Sequence, residues 1–200
     1  MFSIKNFQRY LALGVWGFLL FPTLTWAATY KVDPDHTTVS FKVRHLFSKV
    51  EGQFHKFDGT IDYEPGKPET WGTSGTIDAT SISTNVPERD KHLRSADFFD
   101  VEKYPSITFK SVKVTGATET NAKMDGLLTI HGTEKPVVLD LELHGVGKDP
   151  WGNTRAGFTA TTKINRKDYG LNWNEALETG GVLVGDEIEI TLEIEGILQK

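Results

Sequence analysis

Glu187-Ile188-Glu189-Ile190-Thr191-Leu192-Glu193-Ile194-Glu195 alternates polar and apolar residues without a fault. Ile188, Ile190, Leu192 and Ile194 fall on one parity, and Glu187, Glu189, Thr191 and Glu193 on the other. Side chains of an extended chain point to opposite faces in turn, so this is a strand with one face buried and one in water. A one-residue slip would carry the glutamates inside, which pins the register. The carboxylate pairs Glu187/Glu189 and Glu193/Glu195 therefore read as a solvated face rather than as a glycosidase pair.

The same period recurs upstream. Val39, Phe41 and Val43 alternate with Ser40, Lys42 and Arg44, and Phe57, Gly59, Ile61 and Tyr63 with Asp58, Thr60 and Asp62. Ile77, Ala79 and Ser81 share a face, as do Met124, Gly126, Leu128 and Ile130. Val137, Leu139, Leu141 and Leu143 form another stripe, and Ala156, Phe158, Ala160, Thr162 and Ile164 one more. From Ile107 and Phe109 the apolar phase moves to Val112 and Val114, which predicts a bulge near Lys110 or Ser111. Gly132-Thr133-Glu134-Lys135 reads as a tight hairpin and the stretch from Gly145 to Thr154 as a longer one. Helix is confined to one or two turns after Asn85, with Pro87 suited to a first turn, and to a turn near Arg166-Lys167-Asp168-Tyr169. The sum is about eight strands, with a short extra one near Tyr30–Val32.

Eight antiparallel strands with one polar face each make either a sandwich or a closed barrel, and periodicity leaves both open. Small inward residues (Gly59, Ala79, Gly126, Ala156, Ala160) are expected to leave interior volume unless bulky neighbours fill it.

Residues 1–27 read as a cleaved export signal. Lys5 and Arg9 precede the apolar run Leu11–Leu20, and Thr25-Trp26-Ala27 offers a cleavage site. The run is short for a membrane span. The expected mature domain is 28–200, with the periplasm as its compartment. Losing Lys5 and Arg9 takes the formal charge from −5 to −7, which disfavours nucleic acid as a partner. The chain has no cysteine, so stability rests on the core and the strand ladders.

One stretch obeys no strand period: Ser83-Thr84-Asn85-Val86-Pro87-Glu88-Arg89-Asp90-Lys91-His92-Leu93-Arg94-Ser95-Ala96-Asp97-Phe98-Phe99-Asp100. A connection this long in a compact β domain is usually functional or disordered, and its aromatics argue against disorder. We read it as an ordered lid or mouth. Arg89 and His92 are the candidates nearest a ligand head. Asp90 and Asp97 are expected to hold Arg89, His92 or Arg94 in place. At least one of Phe98 and Phe99 should reach the apolar interior, because two exposed neighbouring phenylalanines invite aggregation. The cavity itself is expected to be lined by Phe41, Val43, Phe57, Ile77, Leu139, Phe158, Ile190 and Leu192. No two of the six histidines have metal-ligand spacing, and neither a nucleophile elbow nor a phosphate-binding glycine motif occurs. No catalytic set, metal or cofactor is expected.

Four motifs resemble the YceI-like, polyisoprenoid-binding, lipocalin-like periplasmic proteins. They are Asp35-His36-Thr37-Thr38-Val39-Ser40-Phe41-Lys42-Val43-Arg44-His45 with Val50 to Phe54; Arg89-Asp90-Lys91-His92-Leu93 with Asp97-Phe98-Phe99-Asp100; Gly126 to Gly132 with Lys135-Pro136; and Ala156-Gly157-Phe158, Ile164-Asn165-Arg166, Tyr169-Gly170-Leu171 and Gly185 to Ile188. The resemblance implies an all-β, extended eight-stranded antiparallel barrel with an elongated apolar cavity and a short helical insertion. It implies a long-chain isoprenoid ligand, such as a quinone or polyprenyl lipid, and a homodimer. Transient contact with a membrane is expected of such a binder. The alternative is an enzyme acting on an apolar isoprenoid-type substrate, with His92 or His36 as acid/base.

Overall fold

The computed structural model describes residues 27–178 and 180–200, so the leader expected over 1–27 lies, apart from Ala27, outside the described residues. The strands are β1 (Ala28–Val32), β2 (Thr38–His45), β3 (Ser48–Phe54), β4 (Phe57–Tyr63), β5 (Gly72–Asp78), β6 (Ile82–Ser83), β7 (Ser106–Thr115), β8 (Asn121–Ile130), β9 (Thr133–Lys148), β10 (Thr154–Asn165) and β11 (Val184–Leu198). One α-helix, α1 (Pro87–Arg94), follows β6, with Pro87 in its first turn. The turn expected at Arg166–Tyr169 is a 3-10 helix.

All pairs are antiparallel. Around the wall the order is β1–β4–β5–β7–β8–β9–β10–β11, and β11 pairs back with β1. The sheet therefore closes into an eight-stranded barrel, which decides between the two architectures that periodicity allowed. Closure rests on β11, whose 15 residues serve two partners along one edge. Its Gly196–Leu198 end pairs with β1, and the stretch from Val184 to Glu193 pairs with β2. β1 and β2 are thus one long stave broken at 33–37. β3 and β4 form a second, broken at 55–56, and β5 and β6 a third, broken at 79–81.

The second and third breaks are tied to each other: the Asp78 N–H donates to Lys56 O at 2.9 Å and the His55 N–H to Ser81 O at 3.3 Å. The third corrects the expected Ile77/Ala79/Ser81 stripe. The strand ends at Asp78, whose carboxylate accepts from the Thr80 N–H at 2.9 Å and starts a 3-10 turn, although Ala79 stays fully buried. Two other expectations shift by a residue or two. The hairpin turn is His131-Gly132, both with positive φ (50° and 73°), and β9 already begins at Thr133. The bulge lies between Ser111 and Lys113; it brings Val114 inward but leaves Val112 65% exposed.

One end of the barrel, here called the lower, is plugged by Tyr30, Tyr63, Trp71, Leu143 and Phe158. Tyr63 meets Trp71 at 5.0 Å and Phe158 edge-on at 5.1 Å between ring centroids. Beside this plug the closing seam is locked by Arg155. Its guanidinium bonds Asp149 (2.8 Å), Asp33 (2.6 Å) and Glu195. Asp33 also caps the first break, accepting from the Asp35 N–H at 3.1 Å and meeting the His36 ring at 2.8 Å. One side chain of β10 thus joins β11, the β9–β10 loop and the break between β1 and β2.

The Arg155 hydrogen bonds hold the Asp33 and Asp149 carboxyls below their ordinary value of 3.8, against the opposing effect of burial. Groups with lowered folded-state pKa contribute stability that is present above the ordinary value and is lost as pH falls through the lowered ones. Arg155→Met is expected to lower the urea midpoint at neutral pH and to flatten the loss of stability below about pH 4. Urea titrations across pH 2–7 check both, and an unchanged acid limb would show that the seam does not depend on this pairing.

Candidate functional site

The barrel interior is hollow. A larger upper chamber of about 510 Å³ and a smaller lower one of about 140 Å³ adjoin. They share a waist made by Val39, Ile77, Ile107, Phe109, Leu128, Leu139 and Leu192. The stripes place these residues: successive inward positions on one strand step from one chamber to the other. On β10, Phe158 and Ala160 line the lower chamber and Thr162 and Ile164 the upper. Of the eight residues expected in the cavity, Phe41, Val43 and Ile190 line the upper chamber, Phe57 and Phe158 the lower, and Ile77, Leu139 and Leu192 the waist.

Small inward residues do not all leave space. A Cβ on Gly126 would lie 2.2 Å from the Phe109 ring, and one on Gly52 2.4 Å from Phe41. Each ring lies on the glycine and takes up its volume. Gly75 differs: a Cβ there would meet only Asp58 O, at 3.5 Å, and it faces the lower chamber.

Polar residues such as Thr37, Thr73 and Thr76 occur in the lower lining too, but arginines and histidines line only the upper end. Thr84, Glu88, Arg89 and His92 of the insertion line it together with His45 and Arg166. The insertion leaves β6, the edge of the sheet, and spans to β7. It is anchored by aromatics. Phe98, 8% exposed, packs on Trp173 (5.2 Å) and His92 (5.1 Å), and Phe99 packs edge-on to Phe54 at 5.8 Å. Both phenylalanines therefore reach the interior, where at least one was expected.

The acids act differently from expectation. Asp97 does meet His92, at 3.0 Å, but Asp90 holds no arginine. The buried Asp90 carboxylate accepts from the Thr84 N–H (2.7 Å) and hydroxyl (2.5 Å). Arg89 donates to the same Thr84 hydroxyl (2.7 Å) and carbonyl (2.9 Å), and Arg94 donates to Ile82 O (3.1 Å). Thr84 is the hub because it stands where β6 ends and its backbone loses ladder partners. Neither Asp90 nor Asp97 lines the chamber; each braces a neighbour that does.

Several lining residues escaped the sequence reading. Trp173 and Leu171 lie in an irregular segment with no period to expose them. The buried Arg166 positions that segment by donating to Gly185 O and Trp173 O (both 2.9 Å) and to Leu171 O, with Asp186 at 3.3 Å. His36 lines neither chamber; it sits on the Arg155 seam. There Asp33, His36 and Glu195 bring donor atoms within 4.8 Å of one another, a grouping that sequence spacing does not show. The Arg155 guanidinium, bonded to both acids, already supplies the positive charge such a cluster would seek.

Residues 30–196 match the YceI-like domain. The chain belongs to the YceI-like family. Among its YceI-like relatives, a UPF0312 protein of Ectopseudomonas mendocina is 41% identical over 194 residues, 94% of this chain and 97% of its own. The YceI protein of Campylobacter jejuni superposes with a TM-score of 0.68 at 33% identity, over 80% of this chain and 91% of its own. A polyisoprenoid binding domain from Saccharophagus degradans shares the fold at a TM-score of 0.64 and 15% identity, covering 86% of this chain and 99% of its own.

Removing the YceI-like hub's acceptor should be costly. Asp90→Ala leaves the Thr84 N–H unpaired under the insertion, and a loss of about 1–3 kcal/mol in unfolding free energy is expected. Asp97→Ala, at the exposed His92 pair, should cost well under 1 kcal/mol. Urea denaturation of both variants checks the ordering.

Proposed function

We propose that this protein binds a long-chain isoprenoid lipid, tail in the two chambers and head among Thr84, Arg89 and His92. In this reading it is a non-enzymatic carrier or reservoir, exported to the periplasm by the leader over 1–27, with an isoprenoid quinone among the candidate ligands and a homodimer as the expected assembly. The observation that carries it is the asymmetry of the cavity: a continuous, mainly apolar interior whose arginines and histidines line only the upper end. That matches a molecule with a long hydrocarbon tail and a small polar head. The Saccharophagus degradans domain of the same fold, described as polyisoprenoid binding, supports the tail chemistry.

The energetics assign different jobs to the two ends. Each isoprene unit brings about five carbons, roughly 4 kcal/mol gross at about 0.8 kcal/mol per carbon buried. A polar contact at the head contributes roughly 1–3 kcal/mol. Ordering the chain and association remove much of the gross gain. The tail thus sets affinity, and the head sets choice among lipids.

His92, which lines the upper chamber and is paired behind with Asp97, favours a second reading, an enzyme on the same class of substrate. Mass spectrometry of a solvent extract of the purified protein separates the two. An intact isoprenoid lipid is expected. A chemically altered one would favour the enzyme, and an empty extract from protein that also takes up no added isoprenoid would defeat both.

Gly75→Leu tests where the tail ends. The new side chain should project into the lower chamber, so extracts of this variant should shift toward shorter tails while the fold is kept. Identical chain-length profiles for variant and wild type would mean that the lower chamber holds no ligand.

A further inference from the structure

The turn between β2 and β3 is strained and uncovered. Its two residues are Leu46 and Phe47, and Leu46 has φ 50°. A left-handed first position in a two-residue hairpin favours Gly or Asn, and a bulky side chain there is strained. In the counterpart between β8 and β9 His131 takes the same φ of 50°, but it is followed by Gly132 and the turn lies against the Tyr104 ring. Nothing covers the β2–β3 turn: Phe47 is 101% exposed. Below it Arg44 and Lys49 stand directly opposite each other in the ladder, a like-charge pairing that weakens a sheet. Lys49 reaches Glu189 at 2.7 Å. Arg44 has no carboxylate partner among the described residues, and its guanidinium donates to Leu46 O at 3.1 Å.

The tip therefore presents one apolar ring beside a cation without an acid, at a cost to both turn and ladder, on a chain that is otherwise acidic. Strain and broken local rules concentrate at functional sites. Its position is equally specific. His45 and Val50, which flank the turn, line the polar end of the upper chamber. The Leu46 N–H donates to Leu183 O at 3.0 Å, beside the exposed Val182. Val86, also exposed, leads into α1 on the same rim.

We propose that the Leu46-Phe47 tip docks the barrel on an anionic phospholipid bilayer, with Phe47 entering among the acyl chains and Arg44 meeting lipid phosphates. A ring that inserts and a cation that stays at the head-group level suit a lipid interface. A single projecting ring offers no broad face of the size a stable protein partner needs. The docked orientation turns the polar end of the cavity toward the membrane, so a lipid can pass between bilayer and chamber without crossing water. This purpose rests on the isoprenoid-binding reading; the docking itself does not.

The test is co-sedimentation with vesicles of phosphatidylethanolamine and phosphatidylglycerol, for wild type, Phe47→Ser and Arg44→Ser. Phe47→Ser should weaken association roughly tenfold to a hundredfold and leave the urea midpoint unchanged, because the ring is bare. Arg44→Ser should weaken it on phosphatidylglycerol vesicles and not on pure phosphatidylcholine. In parallel, each protein is loaded with a ubiquinone from vesicles and from detergent. Phe47→Ser should load slowly from vesicles and normally from detergent. Wild type that does not sediment, or Phe47→Ser that sediments equally, overturns the proposal. So does a wild-type dimer that Phe47→Ser turns into a monomer without any vesicle binding, which would seat the tip on a second copy. Wild type that sediments through Phe47 but takes up no isoprenoid from either source leaves the docking standing and removes the ligand reading.

Discussion

An open sheet cannot enclose a dry cavity, and everything in this molecule depends on the sheet being closed. Closure is achieved by one strand working along its whole length. β11 holds β10 on one edge and, on the other, β1 at one end and β2 at the other. Because the wall closes, the apolar stripes of all the strands converge on one axis, and the polar stripes face water all round. The Arg155 cluster lies at the point where this double pairing changes partner, between Asp33 and Glu195. Charge there reinforces a seam whose register the buried face of β11 already specifies.

The three broken staves explain why the two ends differ. Below the breaks, β5 pairs directly with β7 and the wall is complete. Above them, β6 is a free edge, and the α1 segment stands in for strand pairing with side-chain contacts. Side chains can recognise, whereas a ladder can only close. Arg89 and His92 of the insertion line the chamber at this end, braced by Thr84, Asp90 and Asp97. The lower end is packed mainly with rings and presents no arginine or histidine to its chamber. A barrel without the breaks would be a tube with two equivalent ends.

Period-2 reading located the strands because burial of one face imposes it on every stave, and it placed all eight anticipated cavity residues on the interior wall. It faltered where the backbone leaves the ladder. Ala79 keeps its inward burial while its neighbours turn, so the stripe continued on paper past the strand's end. Val112 looked inward because a bulge cannot be located to one residue from composition. The family resemblance chose the barrel; nothing in the alternation distinguishes it from a sandwich. At the mouth, charge type was readable but pairing was not. Asp90 and Arg89 meet through Thr84, a neutral residue that no charge pattern singles out. Trp173 came from an aperiodic segment, placed there by Arg166 through carbonyl groups that every sequence shares.

The rings of Phe109 and Phe41 lie against Gly126 and Gly52, each occupying the place of a missing methyl group. Phe109 is also part of the waist between the chambers. The bore of the channel is therefore set from behind, by hydrogen atoms on glycines in the neighbouring strands. A single added carbon at 126 would press the ring toward the axis and narrow the passage, although residue 126 itself lines neither chamber. Caliber in such a barrel can thus drift during evolution through positions that do not line the cavity, and two chains with identical wall residues can still differ in bore.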